Sequence, residues 1–250
     1  MNAITLVFRG NLSAQLTDPR ATAEEIRYPL ARRASIKDII EALGVPHPEV
    51  DGLRRNGAEI DFTYLPVPQD RIEILPHVPP VDVCSPTCLR PEPLPAVAFA
   101  VDANVAKLAP LLRMIGMDCW YQANVDDDFI ADLSRRQQRI LLTRDTGLLK
   151  RKQVVYGHLV RAQEPSRQLR EIIEFYGLRP LLTPFSRCLL CNGKLQAVEK
   201  NDIRHRLEPL TEKYYDSFRR CGDCEKIYWP GSHRQRMERS IAATLAETGP

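Results

Sequence analysis

The sequence predicts an α/β protein: a parallel, helix-covered sheet in the middle of the chain, a small α+β domain before it and a cysteine-built metal unit after it. Three observations predict this. From Ala96 onward the runs AVAFAVD, DCWYQ, RILLTRD and YGHLVRA alternate with amphipathic helical stretches, the pattern of parallel βαβ units. Before Pro76, short strands surround a single helix. Four of the seven cysteines stand as CLLC and CGDC, a spacing suited to metal ligation in a reducing compartment.

Taken in order, residues 4–8 and 26–30 are strand candidates, and Ser35 caps a helix whose Ile36, Ile39, Ile40 and Leu43 form one apolar face before Gly44 stops it. NGAEIDFTYL and DRIEILP bring strand-type positions back, punctuated by Asn56-Gly57, Pro66 and Pro68. The order ββαββ within residues 1–77 resembles the β-grasp fold of ubiquitin-like sulfur carriers. Those carriers end in a flexible Gly-Gly tail, whereas this chain continues into PHVPPVDVCSPTCLRPEPLP. The expectation is an independently folded domain that interacts with a protein partner or regulates, without carrying sulfur. Seven of the twenty prolines fall between Pro76 and Pro95, so residues 78–95 read as an extended spacer with no core of its own. Cys84 and Cys88 form a CxxxC there and read as ordinary linker thiols, since no partnering His or Cys lies nearby, with metal binding as the rival.

Residues 96–180 then alternate strand and helix. Leu108, Leu111, Leu112 and Ile115 mark the first helix, closed by Gly116; residues 127–137 form the second; residues 166–176, with Leu169, Ile172 and Ile173 on one face and Gly177 at the end, form the last. Parallel strands deliver whatever follows them to one sheet edge. Asp102, the group Asp126, Asp127 and Asp128, and Asp145 each follow a strand, so three carboxylate positions distant in sequence should converge. Clustered carboxylates need a cation, and an all-oxygen site suits Mg²⁺ or Mn²⁺. Beside a basic surface, such a site suits phosphodiester chemistry. The rival is that each aspartate simply caps a helix or turn. No GxGxxG follows a strand and no GxxxxGK[ST] occurs, so dinucleotide and P-loop sites lack their backbone cradles. Phosphatases of the haloacid-dehalogenase type are matched only at Asp102, because Asn104 stands where their second aspartate would be.

Charge is unevenly spread. Residues 1–80 carry nine Lys/Arg against eleven Asp/Glu, and residues 81–250 carry 26 against 21, so a polyanion partner belongs to the later part. No apolar run approaches the roughly 20 residues of a membrane span, and MNAITLVFRG reads as a strand with no signal-peptide pattern. A cytoplasmic protein without membrane contact is expected.

The stretches VDANVAKLAPLLRMIGMDCWY and NVDDDFIADLSRRQQRILLTRD, with the paired CxxC motifs, resemble the Mut-seven C-terminal ribonuclease family. The resemblance implies a PIN-like three-layer α/β/α parallel sheet over 96–180, a zinc ribbon over 181–240, a tail over 241–250 and an N-terminal ubiquitin-like β-grasp domain. The family's acidic residues map onto Asp102, Asp127 with Asp126 beside it, and Asp145, as catalytic ligands of Mg²⁺ or Mn²⁺. PIN domains commonly use a fourth acid, and only Glu164 is available after VVYGHLVRA. Arg113 and Arg144 are candidates for orienting phosphate, and Lys150, Arg151 and Lys152 for holding an RNA backbone, with a solvated or ion-paired surface as the rival. Lys107 is similar, and His158 reads as a satisfied structural histidine. The function implied is metal-dependent hydrolysis of RNA; the alternative is a noncatalytic RNA-binding or protein-interaction module retaining the fold.

Cys188, Cys191, Cys221 and Cys224 can complete a tetrahedral S₄ shell for structural Zn²⁺. The 29 residues between the two pairs leave room for a hairpin. Phe218, Arg219, Arg220, Tyr228 and Trp229 surround the second pair, where they either grip RNA or pack a minimal core.

Overall fold

A computed structural model describes residues 2–17 and 25–246. The first domain consists of β1 (Ala3–Phe8), β2 (Glu25–Pro29), α1 (Ile36–Ala42), β3 (Val50–Arg55), β4 (Ala58–Glu59) and β5 (Arg71–Pro76). Its sheet order is β2-β1-β5-β3-β4, with β1 and β5 parallel at the centre. Ser35 and Asp38 form a reciprocal capping box at the start of α1, and the Ile36, Ile39 and Ile40 face is buried against Leu6, Phe8, Ile72 and Ile74. One strand differs from expectation. The paired segment lies before Asn56-Gly57, not after it: those two residues turn with positive φ of 48° and 89°, and only Ala58–Glu59 return. The turn signal was legible. The strand ahead of it was not, because VDGLRR offers only Val50 and Leu53 to the core.

The proline-rich segment is no free spacer. Val83 and Leu94 enter the core of the middle domain, while Leu89 enters that of the first. Between them Arg90 is 6% exposed, donating to the carbonyls of His47, Pro48, Val50 and Val155. Nor is it extended: it turns back on itself, the Leu94 amide donating to the Val83 carbonyl at 2.9 Å and Thr87 and Arg90 exchanging backbone hydrogen bonds, so that its few apolar side chains reach both domains.

The middle domain runs β6 (Ala98–Val101), α2 (Leu108–Met114), β7 (Asp118–Trp120), α3 (Asp127–Arg136), β8 (Ile140–Thr143), α4 (Thr146–Leu149), β9 (Gly157–Leu159) and α5 (Pro165–Phe175). All four strands are parallel, in the order β7-β6-β8-β9. The pleat sorts their side chains: Phe99, Val101, Ile140 and Leu142 join the core of α2 and α5, whereas Ala100 and Leu141 join that of α3 and α4. The result is the three-layer α/β/α arrangement.

Each free edge of this sheet is covered by a side chain from a flanking unit. On β7 the Cys119 amide donates to Asn192 Oδ1 at 3.0 Å. On β9 the Leu159 amide donates to Glu49 Oε1 at 2.9 Å. Unpaired edge amides invite foreign strands, and both are occupied here.

The last unit contains β10 (Leu195–Val198), α6 (Lys200–Ile203), α7 (Pro209–Tyr214), β11 (Phe218–Cys221) and β12 (Ile227–Tyr228), with an antiparallel sheet in that strand order. The segment between the cysteine pairs therefore holds β10, two short helices and most of β11, more than a hairpin. Helix α8 (Ser232–Ala246) returns to the middle domain, where Ile241 is buried and Met237 packs against the core. Most of the stretch expected as a tail is thus helical; residues 247–250 lie outside the described residues. Among the described residues no helix is long and apolar enough to cross a membrane.

Candidate active site and cysteine centre

Asp102 directly follows β6 and caps the short turn over Ala103–Val105. Its Oδ1 accepts from the Ala103 amide at 2.6 Å, and its Oδ2 accepts from the Thr143 hydroxyl at 2.7 Å. Thr143, fully buried at the end of β8, accepts in turn from the Asp145 amide at 2.9 Å and from Asn104 Nδ2 at 3.0 Å. Asn104 Oδ1 accepts from the Arg144 amide at 3.0 Å. One hydroxyl therefore ties the ends of two neighbouring strands, and with them Asp102 and Asp145. Asp145 is exposed; its Oδ1 takes the amides of Gly147 and Leu148 at the start of α4.

The other acids are held apart. Asp126 caps α3 by accepting from the Phe129 amide at 2.7 Å. Asp127 is paired to Arg151 at 3.3 Å, and Arg151 also binds Asp128. Among the described residues, the four-cysteine cluster alone brings three or more metal-type ligand atoms within 4.8 Å of one another. Caps and strand-end carboxylates thus turn out to be the same residues: Asp102, Asp126 and Asp145 each cap the element that follows.

The candidate cations divide. Arg144 and Lys152 are exposed at this edge, Arg144 donating to Gln163; Lys150 closes α4; Arg151 is engaged by the two aspartates. Arg113 is not at this edge. It is 4% exposed and donates to the carbonyls of Cys119 at 2.9 Å, Leu189 at 3.1 Å and Leu190 at 2.8 Å, anchoring the first cysteine loop to the sheet. Its place on α2 beside Ala109 and Leu112 was the signal of burial. His158 is buried, 2.8 Å from Glu171 and with its ring centroid 4.2 Å from that of Phe175, a structural role as expected. Thr143 and Asn104 were not anticipated. A threonine at a strand end is an ordinary β residue, and only the fold shows what its hydroxyl joins.

The four cysteine sulfurs converge. Cys188 and Cys224 lie 3.6 Å apart and Cys191 and Cys221 3.4 Å apart, all four within 4.8 Å, and none of the chain's cysteines is in a disulfide. Zinc with bonds of about 2.3 Å to four thiolates needs sulfurs about 3.8 Å apart, so donor set and spacing fit a structural zinc. Gly193 allows the closeness: a Cβ there would lie 2.4 Å from the Asp223 carboxylate and 2.8 Å from Cys221 Sγ. Burial raises the Cys188 thiol, but hydrogen bonds from Tyr228 and from the Cys191 and Leu190 backbone outweigh it and bring it down to about 6.

This centre is joined to the sheet. Asn192, between the first two and last two cysteines, accepts from the Cys119 amide and donates to Asp118 at 2.9 Å, while Asp118 also pairs with Arg139 and, at 3.1 Å, Arg187. Burial would raise the Asp118 carboxyl, but those hydrogen bonds and the charges of Arg139 and Arg187 hold it below its ordinary value.

A family model described as Mut7-C ubiquitin matches residues 1–82, and one described as Mut7-C RNAse domain matches residues 97–241. No match occurs among curated proteins or among solved structures. The second family match runs without interruption from β6 through the cysteine centre into α8, more than half of the sequence, and the chain therefore belongs to the Mut7-C RNAse domain family.

Proposed function

We propose that the protein is a divalent-metal-dependent ribonuclease whose catalytic residues are Asp102, Asp127 and Asp145, at the carboxyl edge of the middle sheet. The observation that supports this most is the link through the Thr143 hydroxyl, which donates to the Asp102 carboxylate and accepts from the Asp145 amide at the neighbouring strand end, in a domain of an RNase family.

The donor set suits a hard cation. Mg²⁺ and Mn²⁺ are bound through one or two carboxylates, with water and substrate phosphate completing the shell. Asp102 and Asp145 would hold such an ion, with Asp127 or Asp126 joining from α3. When bound, it supplies positive charge to the phosphate and lowers the pKa of water. The chain's own residues do the rest. Thr143 keeps Asp102 oriented by donating to Oδ2, and Asn104 fixes the Arg144 backbone. Bringing in Asp127 means opening its pair with Arg151, a partly exposed contact worth about 1 kcal/mol or less. Arg151 would then exchange carboxylate for phosphate, alongside Arg144, Lys150 and Lys152, so closure of the acidic site and grip on the RNA backbone would be linked.

Zn²⁺ held by Cys188, Cys191, Cys221 and Cys224 is structural in this reading, and seven unpaired thiols support a cytoplasmic location. The test is hydrolysis of labelled RNA by Asp102→Asn and Asp145→Asn proteins. Asp145→Asn keeps the one oxygen that accepts from Gly147 and Leu148, and Asp102→Asn keeps one of its two acceptors, so each protein is checked for folding by circular dichroism; cleavage should be lost while RNA is still bound. RNA binding by the unaltered protein without cleavage in Mg²⁺ or Mn²⁺ would favour a noncatalytic RNA-binding module instead.

A further inference from the structure

A cavity of about 430 Å³ opens where the small sheet of the cysteine unit faces the start of α8. That volume is within the range of sites that enclose small molecules. Its wall is mostly apolar, with Leu195, Tyr215, Tyr228 and Met237 around it and Trp229 at 36% exposure. Three cations, Arg187, Arg219 and Lys226, complete the lining, and among the described residues no carboxylate does.

Those cations are not equivalent. Arg187 is held by Asp118 and by the carbonyls of Gly116 and Asn192, so it belongs to the joint between the cysteine unit and the sheet. Arg219 and Lys226 are exposed. Arg219 donates only to the Phe185 carbonyl, Lys226 lies 6.0 Å from the Tyr228 ring centroid, and neither has a carboxylate partner among the described residues. Tyr228 is fixed from below, its hydroxyl 3.1 Å from Cys188 Sγ and accepting from the Leu189 amide. Its ring is thereby positioned by the cysteine centre itself.

Aromatic faces in an apolar recess, rimmed by two cations that no acid neutralises, suit a ligand that is planar at one end and anionic at the other. An apolar peptide would use the recess and leave the cations without a purpose. An unpaired nucleotide uses both, its base against Trp229 or Tyr215 and its phosphate at Arg219 and Lys226. We infer that this cavity seats one unpaired nucleotide of a single-stranded RNA. The inference rests on the proposal that RNA is the substrate, and it adds which form of RNA is held. Because Arg113 and Asn192 weld the cysteine unit to β7, the seat stands at a fixed place relative to the edge bearing Asp102 and Asp145. Cleavage would then fall at a set number of nucleotides from the seated base.

The experiment uses the full, zinc-loaded chain carrying Asp145→Asn, so that bound RNA is not consumed. Binding of a short labelled single-stranded RNA and of a duplex of the same sequence is followed by anisotropy across a salt series, and by tryptophan fluorescence in a Trp120→Phe background that leaves Trp229 as the reporter. Single-stranded RNA should quench Trp229. Trp229→Ala should weaken single-strand binding about five- to a hundredfold with duplex binding within twofold, and Trp229→Phe should recover most of the loss. Arg219→Ser and Lys226→Ser, both at exposed positions, should each reduce the slope of log affinity against log salt by about 0.7. The inference is overturned if all these variants bind single-stranded RNA within twofold of the parent, if single strand and duplex lose affinity equally, or if an acidic aromatic peptide quenches Trp229 and RNA does not. Loss of cleavage in Asp102→Asn with no effect of these variants would remove the seat and leave the nuclease proposal standing. Quenching by RNA with no cleavage in any divalent metal would do the reverse.

Discussion

Replacing Glu49 by alanine should destabilise the whole protein, although the residue belongs to the first domain and its partners, Gln15 apart, to the second. Glu49 is 5% exposed; its Oε1 accepts from the Leu159 amide at 2.9 Å and lies 3.7 Å from His158 Nδ1, and its Oε2 binds the Arg161 guanidinium. Removing it strands the edge amide of β9 and takes the carboxylate partner from Arg161 and Gln15. Deleting one member of a buried charged network costs about 3–5 kcal/mol, and because Arg161 is partly exposed the lower half of that range is expected. Glu49→Gln keeps an acceptor for Leu159 and loses only the charge, so about 1–2 kcal/mol is expected. Urea denaturation of the full chain, followed by far-UV circular dichroism, measures both. A cost below about 1 kcal/mol for Glu49→Ala, or an unaltered protein whose residues 1–82 unfold in a separate early transition, would refute the claim that this contact seals the sheet edge.

Removal of zinc should unfold residues 185–230 and also loosen β7, since Asn192 and Arg113 connect them; structural zinc contributes on the order of 10 kcal/mol, and hydrogen exchange at Cys119 with and without metal reads the coupling. Elemental analysis should find one zinc per chain. Arg113→Met should cost about 2–4 kcal/mol by stranding three carbonyls, yet leave RNA affinity unchanged at a temperature where the protein is folded; a loss of affinity alone would restore a phosphate role to Arg113. Asp118, held below its ordinary value of 3.8, contributes stability that is complete above that pH and is lost as pH falls through its lower folded value, so Asp118→Asn should flatten the acid limb of the stability curve below about pH 4.

What the sequence made legible was local. The Ile36, Ile39 and Ile40 spacing announced α1, strand-helix alternation announced a parallel sheet, and two CxxC pairs announced a four-sulfur centre. Asp102 and Asp145 were visible as strand-end acids because the fold class alone sends such residues to one edge. The unread parts are contacts between residues far apart in the chain. Nothing near Glu49 indicates Leu159, 110 positions later, and nothing near Arg113 indicates Leu190. The same applies to Asp127: a first-turn acid on α3 gave no hint that Arg151 would hold it. The proline segment misled for a different reason, since proline content reports stiffness and says nothing of the buried Arg90 that the stiff segment delivers.

The central claim is that strand-end carboxylates hydrolyse RNA with a divalent ion, and the most direct measurement is the single-turnover cleavage rate of labelled single-stranded RNA by zinc-loaded protein dialysed free of other metals, as Mg²⁺ or Mn²⁺ is added back. The unaltered chain should be inactive without the added ion and recover a saturable rate with it, while Asp102→Asn and Asp145→Asn fall by about a hundredfold or more at every concentration. Cleavage at full rate before any ion is added, or by either variant at the rate of the unaltered chain, would contradict the account.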